Sequence, residues 1–160
     1  MSRSKSDKIS HMIKFEKINK HNKQLVSDLY LKIFSGGCDI NALFDMMDKL
    51  THVGFLGYSD NHLVGFISAN CAVDELDIIE LGVISEFRRL GVAHKLITHL
   101  QHYCIRQNIK KIFLEVAENN AAAIGLYEKA GFSKIGIRKN YYFRKGALID
   151  GVAYCWHSMR

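Results

Sequence analysis

Proline is missing from this chain altogether, and nothing in the sequence accounts for its absence. No proline-rich linker, low-complexity segment or internal repeat divides the 160 residues, so one domain is expected. No apolar run approaches the roughly 20 residues that a membrane-spanning helix needs, and no signal-peptide pattern opens the chain, so no membrane partner is expected. The 4 cysteines, Cys38, Cys71, Cys104 and Cys155, lack any C-x-x-C spacing. Cys71 and Cys104 fall in expected core elements, which points to reduced thiols and a cytoplasmic location. None of the 8 histidines is spaced with cysteines or carboxylates as a zinc site requires, so no metal is expected. Basic and aromatic residues are not interleaved as in a nucleic-acid reader, which argues against a direct nucleic-acid partner. The phosphate loop G-x-x-x-x-G-K-[ST] and the dinucleotide fingerprint G-x-G-x-x-G are both absent.

What is present is ordinary globular composition, 48% apolar and 24% charged, with a net charge of +6. That excess points only weakly to an anionic partner. Residues 1–12 are polar and basic, and are expected to be a disordered tail or an expression remnant. The domain is expected to run from 13 to 160. Ile13 to Ile18 alternates as a strand, and Asn22 to Phe34 carries a helical apolar face ended by Ser35-Gly36-Gly37. A short helix from Asn41 to Leu50 follows. Val53 to Tyr58 and Leu63 to Val73 flank Ser59-Asp60-Asn61-His62 as a hairpin, and Leu76 to Val83 is a central strand. After the next helix, Lys111 to Val116 reads as a buried strand. Asn119 and Asn120 are both N-cap candidates for a helix from Ala121 to about Ala130 that Gly131 stops, and Phe132 to Phe143 and Ala147 to His157 are the last strands. The order βααβββαβαββ implies an α/β (α+β) fold, a mixed sheet of about seven strands with helices on both faces.

Between the central strand and the helix that follows lies Glu86-Phe87-Arg88-Arg89-Leu90-Gly91-Val92-Ala93. A strand, a short basic glycine loop and an amphipathic helix leave backbone N–H groups open at a helix N-terminus, where the dipole favours an anion. Gly91 and Ala93 keep side chains out of the way, so a pyrophosphate can approach closely. An ordinary strand-to-helix turn fits the loop alone equally well.

Two further residues carry chemistry. Glu115 interrupts the apolar strand Ile112-Phe113-Leu114-Glu115-Val116, and an acid there must face a cleft, find a partner or stay protonated. A cleft-facing carboxylate suits a general base, and a salt-bridged glutamate is the plain alternative. Tyr127 shares a helical face with Ala123 and Ile124, where its ring can pack while its hydroxyl reaches a cleft.

Arg88-x-x-Gly91-x-Ala93, Leu114-Glu115-Val116, Asn120-Ala121-Ala122-Ala123 and Leu126-Tyr127-Glu128-Lys129-Ala130-Gly131-Phe132 together resemble the GNAT superfamily of N-acetyltransferases. The likeness, from about Glu80 to Tyr142, is to its ribosomal-protein-alanine and Nα-acetyltransferase members. The resemblance implies acetyl-coenzyme A as co-substrate, its pyrophosphate on the loop Arg88, Arg89, Leu90, Gly91, Val92, Ala93 and His94. It implies Glu115 as base, Tyr127 as acid and Asn120 as a cofactor contact. It further implies a bulge at Leu81-Gly82-Val83 that frees backbone groups for pantetheine and thioester, and Gly82 suits such a bend. Arg138, Tyr141 and Tyr142 match an R-x-x-Y-Y segment that grips a peptide N-terminus; an aromatic pair stabilising the last hairpin is the plain alternative.

The chain departs from that pattern where an acceptor is chosen. The N-terminal half lacks an F-P-W-S-type segment, and Asp150-Gly151-Val152 only loosely echoes the residues expected before the last strand. The implied acceptor is a protein α-amine, that of a small-subunit ribosomal protein first among them. A small-molecule amine is the alternative within the superfamily, and an acyl-coenzyme A sensor without turnover the alternative outside catalysis. A monomer or weak dimer is expected.

Overall fold

The computed structural model describes residues 12–34 and 39–159. Expectations for tail residues 1–11, for the helix stop at Ser35-Gly36-Gly37 and for Cys38 lie outside the described residues. The elements are β1 (Ile13–Lys17), α1 (Lys23–Ile33), α2 (Ile40–Met47), β2 (His52–Ser59), β3 (His62–Ala72), β4 (Glu75–Val83), α3 (Val92–Arg106), β5 (Lys111–Ala117), α4 (Ala121–Lys129), β6 (Ser133–Arg144) and β7 (Ala147–His157). This is the order expected from the sequence. α2 begins where the Asp39 carboxylate accepts hydrogen bonds from the amides of Asn41 and Ala42 at 3.0 and 3.1 Å. It stops at Met47, short of the expected Leu50, which is fully exposed and has nothing to pack against. The β2–β3 turn holds Asp60 and Asn61 at φ 45° and 66°, the two left-handed positions of a tight hairpin turn.

The seven strands form one sheet in the order β1-β2-β3-β4-β5-β7-β6. Every pairing is antiparallel except that of β4 with β5. α1 and α2 cover one face, where Val26, Leu29, Leu43 and Met47 meet Leu56 and Phe66. α3 and α4 cover the other, where Leu96, Ile97, Leu100 and Tyr127 join Ile67, Leu76, Ile112 and Leu114. The alternation of each strand assigns its side chains between these two cores.

β4 and β5 run together for three residue pairs, Glu75–Lys111, Leu76–Ile112 and Asp77–Phe113, and then part. The Lys110 amide bonds the Asp74 carbonyl at 2.7 Å. The ion pairs Lys110–Asp74 and Lys111–Glu75, at 2.8 and 3.8 Å, mark the same end. Those pairs are half exposed and contribute little stability; their position fixes where the fork begins.

The expected bulge at Leu81-Gly82-Val83 is not there. Those residues pair regularly with Ile67, Phe66 and Gly65 of β3, and the register slips earlier, where Ser68 faces Glu80 and Ala69 faces Ile78. Ile79 is therefore the extra residue. The slip inverts the alternation of β4: Leu76 and Ile78 face the α3–α4 core, and beyond it Leu81 and Val83 do, while Glu80 and Gly82 face α1. Gly82 serves packing. A Cβ there would lie 2.9 Å from Ile33 Cδ1 and 3.0 Å from Phe66 Cε1.

Gly65, opposite Val83, is the tighter constraint, because its Cβ would lie 2.8 Å from the Gly82 carbonyl oxygen. Backbone in a paired strand cannot give way as a side-chain tip can. Gly65→Ala is expected to cost about 1–3 kcal/mol, measured as the shift in urea unfolding; an unchanged midpoint would show that β4 can move at this point.

Candidate active site

Where β4 and β5 part, they open a cleft of about 1170 Å³, at the upper end for small-molecule sites. One rim is the loop into α3. A short 3₁₀ turn, Ser85–Phe87, hands the chain to Arg88, whose Nε donates to the Val83 carbonyl at 3.1 Å. Arg89 and Gly91 then take positive φ, 59° and 82°. Gly91 precedes α3 with no side chain capping the helix, and the first amide bonded back is that of Lys95, to the Gly91 carbonyl at 3.0 Å. The amides of Val92, Ala93 and His94 thus have no partner within the helix, and nothing stands within 4 Å of where a Gly91 Cβ would project. These are the features of an anion site, and Arg88, Arg89, Gly91, Val92, Ala93 and His94 line the cleft. Leu90 instead packs against the core.

The second rim is the free edge of β4. The Ile84 amide bonds Val64 of β3 at 2.9 Å, so by strand alternation the amides of Leu81 and Val83 point the other way, towards the departed β5. They offer donors to a ligand lying along the strand.

At the fork the structure gathers Glu115, Asn120, Tyr127 and Tyr142, all on the cleft wall. Asn120 spends its side-chain oxygen capping α4, accepting from the Ala123 amide at 3.2 Å. Tyr127 is only 8% exposed and packs edge-to-face against Phe132. Among the described residues no buried side-chain oxygen lacks a partner, and no hydrogen bond of Tyr127 is found. Its hydroxyl therefore opens into the cleft. Burial, with Glu80 and Tyr142 nearby, pushes its pKa up to about 12, so it stays protonated and has a proton to give.

Glu115 finds the partner that its apolar strand requires. Arg138 Nε lies 2.8 Å from its Oε1, the carboxylate side chain 23% exposed and the arginine 61%. Arg138 and Tyr141 are not on the cleft wall. They stand beside it, with the Arg138 guanidinium 5.2 Å from the Tyr141 ring centroid and Tyr141 edge-on to Tyr142. The segment is shaped by a second slip in the β6–β7 register, between Arg138 and Tyr142, where the Asn140 amide bonds Asp150 at 2.9 Å. So Asp150 anchors this segment. Among the described residues no group of three or more histidines, cysteines and carboxylates gathers as a metal site would, and no helix is long and apolar enough to cross a membrane.

Three contributors escaped the sequence reading. Ile33 and Phe34, at the end of α1, line the cleft, a contact between elements distant in sequence. Glu80 lines it too, and burial raises its pKa, partly offset by the Tyr30 hydroxyl. The signal for Glu80 was the one that singled out Glu115, an acid within an apolar strand.

The chain matches the acetyltransferase (GNAT) family over residues 23–132. It is 34% identical over 84 residues to the [ribosomal protein bS18]-alanine N-acetyltransferase of Salmonella typhimurium, covering 52% of this chain and 57% of that one. That match spans less than two thirds of the bacterial protein's length. With N-alpha-acetyltransferase 50 of Danio rerio it shares 30% identity over 134 residues, 79% of this chain and 78% of the relative. Among solved structures, the ribosomal-protein-S18-alanine N-acetyltransferase of Escherichia coli superposes with a TM-score of 0.85 at 21% identity, over 93% of this chain and 96% of that one. Arabidopsis thaliana NAA60 in complex with acetyl-CoA superposes at 0.76 with 20% identity, over 91% and 98%. At those identities the structural likeness speaks for the fold.

Because the Glu115–Arg138 pair is largely solvated on the arginine side, it adds little to stability. Arg138→Ala is expected to change unfolding free energy by less than about 1 kcal/mol, measured in urea; a loss above about 3 kcal/mol, the size of a broken buried pair, would make the pair a structural strut.

Proposed function

The chain belongs to the acetyltransferase (GNAT) family, and on that premise we propose that it moves the acetyl group of acetyl-coenzyme A to a primary amine, the α-amine of a protein N-terminus. The observation that carries this reading is the fork itself. Open helix amides lie at its rim, strand amides along one side, and a proton-donating tyrosine with carboxylates at its depth. Acetyl-coenzyme A fits this set of donors: anionic at one end, extended in the middle, electrophilic at the other.

In this reading the amides of Val92, Ala93 and His94, with Arg88 and Arg89 beside them, hold the pyrophosphate. Leu81 and Gly82 form the wall along which the pantetheine lies, and Asn120 contacts it from α4. The Val83 amide donates to the thioester oxygen, whose negative charge grows as the amine adds; a fixed donor in a cleft is worth most there. Glu115 takes a proton from the nitrogen, and Tyr127 gives one to the departing sulfur. Arg138, Tyr141 and Tyr142 border the entrance, where a peptide backbone would be gripped.

Acceptor chemistry favours an N-terminus. An α-amine titrates near 7.7–8.0 and is roughly a fifth neutral at pH 7.2, whereas a lysine amine near 10.4 is less than about 0.1% neutral. A small-subunit ribosomal protein with an N-terminal alanine is the first acceptor to try, since the bacterial relatives are named for that reaction.

A panel of N-terminal peptides, set beside free amino acids and polyamines and followed by thiol release, tests the reading. We expect turnover with a peptide α-amine; turnover with small amines alone would move the acceptor out of the protein class. Tyr127→Phe and Glu115→Gln are each expected to lower kcat on the order of 10²-fold, with acetyl-coenzyme A affinity nearly unchanged by calorimetry. Full activity of Tyr127→Phe would reduce that ring to packing.

A further inference from the structure

An acceptor that arrives as an ammonium ion must shed two protons before its nitrogen ends in an amide, and the cleft holds two carboxylates in unequal states. Glu115 is already compensated by Arg138 at 2.8 Å. Glu80 is not: among the described residues no cation stands within ion-pair distance of it. Its hydrogen bond is a long one, accepted from the Tyr30 hydroxyl at 3.4 Å. A half-buried carboxylate is costly without a positive partner, and the slip at Ile79 has turned this one out of the α3–α4 core and onto the cleft wall. The missing partner has the charge of the acceptor itself.

Resting on the amine-acetylating reading above, we propose that Glu80 receives the positively charged acceptor nitrogen and takes its first proton, leaving the second to Glu115. The groups that face Glu80 suit this division. Ser68 lies opposite on β3, and Tyr30 approaches from α1. Tyr127 from α4 and Tyr142 from β6 are close enough for the Glu80 charge to raise both phenols. Around Glu80, then, stand neutral hydroxyls that can orient an ammonium ion but cannot neutralise the carboxylate. Arg144 also lines the cleft, its guanidinium over the Tyr142 ring 5.2 Å from the centroid, and makes no ion pair with Glu80. Burial lifts Glu80 above the usual carboxylate range, which brings it nearer the ammonium ion that it must deprotonate.

The balance closes. The ammonium ion gives one proton to Glu80, and the freed lone pair forms the C–N bond as the C–S bond breaks. Sulfur leaves with the bonding electrons and takes the Tyr127 proton. The second nitrogen proton passes to Glu115. Of the two protons lost by nitrogen, one makes good the Tyr127 hydroxyl and one is released to water.

The test compares a short peptide bearing a free α-ammonium with an alkoxyamine, whose nitrogen is almost wholly neutral at pH 7. Glu80→Gln should lower kcat/KM for the peptide about fivefold at pH 7.2, where roughly a fifth of the α-amine is neutral, and by more as the pH falls, and leave the alkoxyamine nearly untouched, with Glu80→Asp recovering part of the loss. Calorimetry should show weaker binding of the free peptide to Glu80→Gln and no change for its Nα-acetylated form. Tyr30→Phe provides a second arm. Loss of that hydroxyl should raise the Glu80 pKa and move the acid limb of kcat/KM to higher pH. Equal losses on both acceptors, or an undiminished peptide rate in Glu80→Gln, would overturn the assignment while the acetylation reading stands. A wild-type protein that binds acetyl-coenzyme A yet acetylates no amine would overturn that reading, and this role with it.

Discussion

One unpaired residue, Ile79, shapes the site more than any functional side chain does. Parallel neighbours normally stay in register along their shared length, but an extra residue bends and twists the strand that carries it. In β4 that bend comes immediately after the last pair with β5, Asp77–Phe113. The strands part, an edge of amides is left without a strand partner, and the cleft exists. The same extra residue inverts the order of side chains along β4. Leu81 and Val83 fill the core that Leu76 and Ile78 fill below the slip, and Glu80 is delivered to the opposite face.

The cleft then distributes charge unevenly along its length. At the rim, backbone amides without helical partners and the Arg88–Arg89 pair favour an anion. At its depth, Glu115 is matched by Arg138, while Glu80 is surrounded by phenols. A phosphate-bearing molecule at one end and an ammonium ion arriving at the other would each find a complement. Tyr127 stands where the two meet, its ring held by Phe132 and its hydroxyl kept protonated by burial.

Much of this was legible before any coordinates. Element order followed from periodicities of 2 and 3.6 and from the Asn120 and Gly131 helix ends. The glycine loop at the cleft rim was marked by Arg88, Gly91 and Ala93, and Glu115 and Tyr127, which the motifs singled out, line one cleft. The bulge was misplaced at Gly82 because a glycine in a strand has two readings, a bend or a close approach. Here it is the second, with Ile33 and Phe66 occupying the space of the absent side chain. Uninterrupted alternation with Leu76 and Ile78 would bury Glu80 among apolar neighbours. Only a strand that slips can carry an acid at that position into a cleft.

The amino-acid sequence by itself determined the elements, their order, the two apolar faces that the sheet must cover and the loop that leaves amides free, because these rest on local periodicity and local backbone chemistry. The tertiary structure alone decided where β4 and β5 part, which face Glu80 takes, that Arg138 neutralises Glu115 and that α1 walls the cleft with Ile33 and Phe34. Those four facts depend on register between strands and on contacts between segments far apart in the chain. A shift of one residue in pairing moves a side chain from core to cleft without altering any local pattern.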